Sequence, residues 1–372
     1  MRITSVRAKN FKSFKDLDIR LDNLNVLIGA NASGKSNFVQ LFTFIRDIVK
    51  EGLENAVSIQ GGAYLRNVNC RDDEPLTMEL SIEHGPGEPL VRSEYRFSLA
   101  FTGRQVSIGE DELRSESRDG QAFTIKRVEN QYQTEGDLGP LQGFLAAMET
   151  VDVSRPRLLI EYLPWFNDLK SIASYDIDSN APRNGVFGRP SELEPNAGNL
   201  AIVLDKILSD DEERRTLMML VKDVLPFVEA LETEKLWGRS LIFKMRERYS
   251  QQAIPAAFLS DGTIDMIALV VILYFERKQL VLIEEAARNL HPSIMSGLVA
   301  FLEDISHRKQ IVITTHNPQL VRHTDKSRLI LISRDARGYS HAERPVDRAS
   351  VQQFLRDEIS MHELYVEDLL EV

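Results

Sequence analysis

The chain has little with which to staple itself or enter a membrane. Cys70 is its single cysteine, which excludes an internal disulfide and any zinc site built on thiolates. No apolar run approaches the ~20 residues that a membrane-spanning helix needs. Met1 to Arg20 alternate apolar with charged side chains, which gives neither a secretory leader nor a lipidation signal. Internal repeats, heptad arrays and low-complexity tracts are missing as well. Cations are the minority charge: 45 Lys and Arg against 56 Asp and Glu leave a net charge of -11, so the surface as a whole does not attract nucleic acid. A local run, Arg2, Arg7, Lys9, Lys12 and Lys15, is either a binding groove or an ordinary solvated edge. What is there suits a soluble cytoplasmic protein: 372 residues, 43% hydrophobic and 27% charged, enough for one large or two ordinary domains.

Against that background one stretch stands out. Asn25-Val26-Leu27-Ile28 reads as a buried strand and runs into Gly29-Ala30-Asn31-Ala32-Ser33-Gly34-Lys35-Ser36, a G-x-x-x-x-G-K-S phosphate-binding loop. Gly29 and Gly34 let the backbone close around a polyphosphate, and the amides of the next helix's first turn point at the anion. Lys35 is placed to reach the β- and γ-phosphates and the Ser36 hydroxyl to take one position on Mg²⁺. Asn31 and Ser33 complete the loop residues expected to touch nucleotide. Phe38, Leu41, Phe42 and Ile45 mark the buried face of that helix, which should run to about Lys50.

The remaining chain changes period three times. Arg2–Val6 and Phe14–Arg20 read as strands with a turn near Asn10. From Leu76 to Val128, alternation with Gly- and Pro-rich breaks predicts an antiparallel meander beside the nucleotide strand. Residues 141–253 read as an inserted helical subdomain, with helices over Leu141–Met148, Leu200–Ser209, Asp211–Val221 and Leu236–Tyr249. Within it, Asp210-Asp211-Glu212-Glu213 looks like an acidic helix start, and Trp165, Phe166 and Trp237 like packing residues of the insert. After Ile254, apolar helices over Ile267–Phe275 and Met295–Ile305 alternate with strands at Gln279–Ile283, Gln310–Thr314 and Arg328–Ser333, the last at an edge. That alternation indicates a partly parallel sheet with helices on its faces. The expected division is 1–130, 141–253 and 254–372.

A second half of a nucleotide site follows the apolar strand Leu280–Ile283. Glu284 at its end is a candidate Mg²⁺ ligand, and Glu285 is placed to orient or deprotonate a water. Thr314-Thr315-His316-Asn317 follows the next apolar strand. In an open parallel sheet both then fall at the carboxyl edge, where ligands bind. There His316 can hydrogen-bond a γ-phosphate or the attacking water.

Four stretches in order, Gly29–Ser36, Leu259-Ser260-Asp261-Gly262-Thr263, Leu280–Glu285 with Leu290-His291-Pro292, and Thr314–Asn317, resemble the Walker A, signature, Walker B and switch-histidine motifs of ABC-type ATPases. The opening and ending resemble the SMC/RecF-like AAA-family ATPases of bacterial DNA repair and anti-phage defence. The resemblance covers roughly 1–130 and 254–335. It implies an α/β P-loop NTPase of the ABC-ATPase head type: a mixed sheet with helices, an antiparallel β meander and an inserted helical subdomain. It also implies ATP and Mg²⁺ as ligands and a homodimer in which Ser260 and Gly262 touch the partner's ATP while Lys35 and Glu285 serve their own. Gln60 is a possible Mg²⁺-sensing glutamine. Asp265, where the family often has Arg or Lys, and Ala286-Ala287, where it often has Pro-Glu, depart from the pattern. His291 either lies at a subunit contact or caps a loop before Pro292. The acidic ending around Leu364 and Leu370 either packs on the head or recruits a protein. The function these features predict is an ATP-hydrolysing dimeric switch. Its hydrolysis is slow or partner-activated, and it controls a separate DNA-directed or anti-phage effector, for instance a nuclease. A non-hydrolysing scaffold with ATP as dimer glue is the alternative.

Overall fold

The computed structural model describes residues 1–372 apart from 72, 104, 130, 137–142, 144–155, 189–191, 237–239, 350, 353–359, 368–369 and 371–372. The expected helix over Leu141–Met148 and Trp237 lie outside the described residues. The chain forms two compact units, each assembled from separate stretches. The first holds Met1–Asn23, Gly29–Ile172 and Ile330–Arg344; the second holds Leu24–Ile28, Ala173–Leu329 and Pro345–Val372.

With strands and helices numbered in chain order, the first unit contains β1 (Arg2–Phe11), β2 (Phe14–Arg20), β4 (Leu76–Glu83), β5 (Leu90–Thr102), β6 (Gln105–Ser117), β7 (Ala122–Val128), β8 (Gln131–Gly136), β15 (Leu329–Arg334) and β16 (Ser340–Glu343). They hydrogen-bond in the order β8-β7-β6-β5-β4-β1-β2-β16-β15. The expected meander is present as antiparallel neighbours. It joins β1, with Val6 opposite Leu80, and so does not lie beside the strand before the phosphate loop. The reason is that β1 also alternates, so its open edge matches an alternating partner, whereas the strand before the loop is apolar on both faces. Leu329–Ile332 of β15, expected at an edge, are all buried.

Helix α1 (Lys35–Glu51) buries Phe38, Leu41, Phe42, Ile45 and Ile48. Phe38 meets Phe14 edge-on at 6.4 Å, and Phe44 lies 6.2 Å from Phe11. Each such ring contributes about 1.5–3 kcal/mol by leaving water, so α1 is held by its core face rather than by its ends. Helix α2 (Leu53–Ile59) follows after Gly52. Behind the meander, the buried Asp111 carboxylate accepts from the Tyr95 hydroxyl (2.8 Å), the Tyr132 hydroxyl (2.9 Å) and the Leu159 amide (2.8 Å). Burial still pushes its pKa up to about 6. Phe166, expected to pack the insert, instead lies against Tyr95 (6.2 Å) and the buried His84 (5.8 Å) of this unit.

The second unit is built on a parallel sheet in the order β3 (Leu24–Ile28), β14 (Gln310–Thr314), β13 (Leu280–Glu284), β9 (Ala173–Asp176). Its strands read as continuous apolar runs because a parallel sheet is covered on both faces. Helices α3 (Leu200–Ser209), α4 (Asp211–Val224), α5 (Asp261–Val270), α6 (Met295–Ser306), α7 (Pro318–His323) and α8 (Met361–Val366) belong to this unit. Asp210 caps α4 by accepting from the Glu212 and Glu213 amides, as the acidic run predicted. α8 packs against α7 with Leu364 buried, which places this part of the ending on its own unit.

One element of the expected helical insert is corrected. The described part of Leu236–Tyr249 is not a helix: β11 (Leu241–Glu247) pairs with β10 (Val228–Lys235) and β12 (Ile254–Pro255) in a small antiparallel sheet. Leu241, Phe243 and Met245 are buried at every second position. In so short a run, Leu241, Ile242 and Met245 also fit one helical face, and pairing with β10 selects the strand.

Candidate nucleotide site

The loop before α1 is a nest of left-handed backbone. Gly29, Ala32 and Gly34 have φ of 148°, 64° and 117°, positive-φ backbone of the kind that anion-binding concavities use. Side chains are excluded at the two glycines. A Cβ on Gly29 would stand 2.1 Å from the Ile332 carbonyl oxygen, and one on Gly34 would stand 2.3 Å from the Ser340 hydroxyl. Lys35, buried, bonds back to the carbonyls of Gly29 (2.8 Å) and Ala30 (3.0 Å). The Ser33 hydroxyl is buried without a hydrogen-bond partner, a donor of the kind a phosphate oxygen satisfies. Ser36 sits in the first turn of α1, and Asn31 is exposed at the loop's crest.

Three residues from outside the loop and α1, none of which the sequence singled out, brace this loop. Ser340 donates to the Ser33 carbonyl (2.6 Å), the Ser13 and Ser340 hydroxyls are hydrogen-bonded at 2.8 Å, and Asn37 donates to Ser13 (2.7 Å). Arg334 reaches the Ala32 carbonyl at 3.3 Å. They come from β16, the β1–β2 turn and β15, so no local pattern announces them. Gln60, the expected Mg²⁺ sensor, lies in the same unit with its amide engaged. Its nitrogen donates to Thr43 and to Asp47, both at 3.1 Å, and its oxygen accepts from Lys12 at 3.4 Å.

In the second unit the carboxyl ends of β13 and β14 carry the acid and the histidine. Ile283 is opposite Ile313, so Glu284 and Glu285 leave β13 alongside Thr314 and Thr315. Glu285 has φ of 50°, a left-handed conformation that a non-glycine residue holds only when its surroundings impose it. Here the Glu285 amide donates to the Thr314 hydroxyl at 2.9 Å, and the Ala286 amide to the Thr314 carbonyl at 3.2 Å. The Glu285 carboxylate meets Nδ1 of His316 at 2.6 Å. An ionised carboxylate only accepts, so Nδ1 carries the proton and Nε2 faces away. The Asn317 side chain caps α7 through the Gln319 amide (2.9 Å) and reaches the Ala287 carbonyl (3.4 Å), which fixes the histidine's loop against the glutamate's. The altered Ala286-Ala287 turn therefore still presents Glu285.

The signature stretch begins α5. Ser260 is its N-cap and accepts from the Thr263 amide at 3.3 Å. A Cβ on Gly262 would stand 2.6 Å from the Asn289 carbonyl oxygen, so glycine is required there by close approach to the turn after β13. The departure at Asp265 is turned inward: its carboxylate is buried, accepts from the Asn289 side-chain Nδ2 at 2.8 Å, and leaves Oδ1 without a partner. Burial is the main cause of its pKa rising to about 6. His291 caps the turn at Pro292–Ile294 by accepting from the Ser293 amide at 3.2 Å.

Among the described residues, no group of three or more His, Cys, Asp or Glu is placed to hold a metal ion. No helix among the described residues is long and apolar enough to cross a membrane.

Among solved structures, the chain is similar to the SMC head bound to the C-winged helix domain of ScpA. The TM-score is 0.52 at 14% identity, over 92% of this chain and 97% of that one. It is also similar to the SMC head with an extended coiled coil bound to the C-terminal domain of ScpA, derived from Pyrococcus furiosus. There the TM-score is 0.51 at 12% identity, over 95% and 99%. The fold is thus that of SMC heads, an α/β P-loop architecture with a mixed sheet. Among curated proteins, Endonuclease GajA of Bacillus cereus is 22% identical over 347 residues, 89% of this chain and 58% of that protein. The chain therefore spans little more than half of that relative's length. An ATP/GTP phosphatase of Helicobacter pylori is 22% identical over 340 residues, 87% of this chain and 88% of that protein. A family profile matches residues 24–322, from β3 into α7, and by that match the chain belongs to the family described as "AAA domain, putative AbiEii toxin, Type IV TA system".

Proposed function

We propose that this protein binds and hydrolyses ATP and works as a nucleotide-gated dimeric switch. The observation that carries the reading is the Glu285–His316 contact at 2.6 Å on a strained residue at the end of a parallel strand. Strain of this kind persists where a side chain must be aimed, and a carboxylate so aimed can take a proton from water. The roles follow from the chemistry of each group. The nest around Gly29–Gly34, with Asn31 and Ser33, binds phosphate oxygens. Lys35 turns from the loop carbonyls to the β- and γ-phosphates. Ser36 and Glu284 are the side chains suited to Mg²⁺, which neutralises phosphate charge when bound. Gln60 joins that set only by releasing Lys12. Glu285 orients and deprotonates the water, and His316, through Nε2, reports the terminal phosphate. Ser260 and Gly262 address the nucleotide of a second copy.

The name of the Helicobacter pylori relative, a phosphatase of ATP and GTP, supports turnover. That of the Bacillus cereus relative supports a DNA-directed effector, a nuclease, as the output. The test is Glu285→Gln in the full chain. Loss of a general base lowers phosphate release by about 10²–10⁴-fold, while ATP binding persists and a dimer accumulates. Undiminished phosphate release in that variant would remove Glu285 from the catalytic role, whereas no phosphate release from the parent chain would return the protein to the scaffold reading.

A further inference from the structure

The signature stretch, Leu259-Ser260-Asp261-Gly262-Thr263, places a carboxylate next to the residues proposed to receive a phosphate. Two like unit charges about 4 Å apart repel by roughly 1 kcal/mol in water and several times that near a protein surface. An unrestrained Asp261 would therefore oppose the ligand that the turn is proposed to bind. Its carboxylate is not unrestrained. Arg183 Nη2 donates to Asp261 Oδ1 at 2.5 Å, and the same guanidinium, through Nη1, donates to the Ala257 carbonyl at 3.0 Å. Ser179 adds a second hydrogen bond to Asp261. Both partners come from the one segment that follows β9. That segment is itself fixed: Asp178 accepts from the Asn180 amide at 3.0 Å, the Arg183 amide bonds the Asn180 carbonyl, and Pro182 is buried. The Arg183 side chain is 21% exposed, against 50% for Asp261, so the cation is the anchored member of the pair. The Arg183 and Ser179 bonds hold the Asp261 pKa below the usual carboxylate range, and the group stays ionised at neutral pH.

We infer that Arg183 is a positioning residue for the signature turn: it draws the Asp261 carboxylate toward the 177–183 segment and cancels its charge, leaving the start of α5 receptive to the terminal phosphate of a second copy's nucleotide. This rests on the dimeric reading above. Arg183 touches neither the reacting atoms nor the phosphate loop; it acts through Asp261.

The experiment uses the full-length Glu285→Gln protein and follows ATP-dependent dimerisation by sedimentation, alongside binding of a fluorescent ATP analogue. Adding Arg183→Ala should raise the ATP needed for half-maximal dimer roughly tenfold, the scale of one screened like-charge contact. Analogue binding should stay within twofold. Adding Asp261→Asn to that variant should restore dimerisation to within about twofold of the parent, because the charge to be cancelled is gone. Arg183→Gln keeps donors for the Ala257 carbonyl without the charge, and carries the same comparison should alanine unfold the chain. Two results overturn the inference while leaving the dimer reading intact: normal dimerisation with Arg183→Ala, or no rescue by Asp261→Asn, which would make Arg183 a mere tie to the Ala257 carbonyl. A parent that stays monomeric in saturating ATP overturns the dimer reading and this inference together.

Discussion

Helices α1 and α5 both begin at a glycine-bearing turn that resembles an anion site, yet glycine is needed in the two places for different reasons. At α1 the backbone itself is unusual: Gly29, Ala32 and Gly34 all have positive φ, and Ser13, Ser340 and Arg334 brace the outside of the loop. At α5 the backbone is ordinary, with a serine N-cap, and Gly262 is glycine only because the Asn289 carbonyl comes so close. The first turn is shaped by its own conformation. The second is shaped by what is pressed against it, and what presses on it is the turn that carries Glu285.

That contrast can be broken by substitution. Gly29→Ala should have the largest effect, because a Cβ would stand 2.1 Å from a backbone oxygen on a positive-φ residue. Strain and overpacking together cost about 3 kcal/mol or more, seen as a lowered denaturant midpoint and lost nucleotide binding. Gly262→Ala meets one backbone oxygen without conformational strain, so its cost should be about 1–3 kcal/mol. Nucleotide binding at the α1 loop should survive, and ATP turnover should fall. Equal loss of binding in the two variants would abolish the distinction.

The buried carboxylates of the two units sharpen the comparison. Asp111 has three donors, whereas Asp265 has one and an oxygen with no partner. Burial holds both near 6, above the ordinary 3.8. The folded protein therefore keeps these protons to higher pH than the unfolded chain does. Stability should fall as pH rises from about 4 to 6 and level off above that. Asp265→Asn should flatten part of that slope without lowering the melting temperature at neutral pH. Asp111→Asn should flatten it too but cost about 1–3 kcal/mol, since a fixed amide donor from Leu159 and two hydroxyls lose a charged acceptor. A melting curve for Asp265→Asn as depressed as that for Asp111→Asn would show the orphan oxygen to be irrelevant.

Much of this was legible in the chain. The G-x-x-x-x-G-K-S loop, the apolar strand ending in Glu284-Glu285, and His316 after the next apolar strand are each written within a dozen residues, because loop conformation and strand burial are local properties. Asp210 as a helix cap was legible for the same reason. The Leu241–Glu247 strand was not: its apolar spacing is compatible with either period until β10 lies beside it. Nor were the meander's place beside β1, the packing of Phe166 on Tyr95 and His84, or the braces at Ser13, Arg334 and Ser340. Each depends on segments far apart in number.

The sequence by itself determined which groups the proposed site holds: a glycine-bearing loop with a lysine, paired acids at a strand's end, and a histidine one strand away. Tertiary structure alone decided how those groups are held. It set Glu285 in a left-handed turn against His316, pressed Asn289 on Gly262, and brought Arg183 to Asp261. Residue types and short-range periodicity fix chemistry and local conformation. Hydrogen bonds between segments distant in the chain exist only once the sheets that carry them have paired.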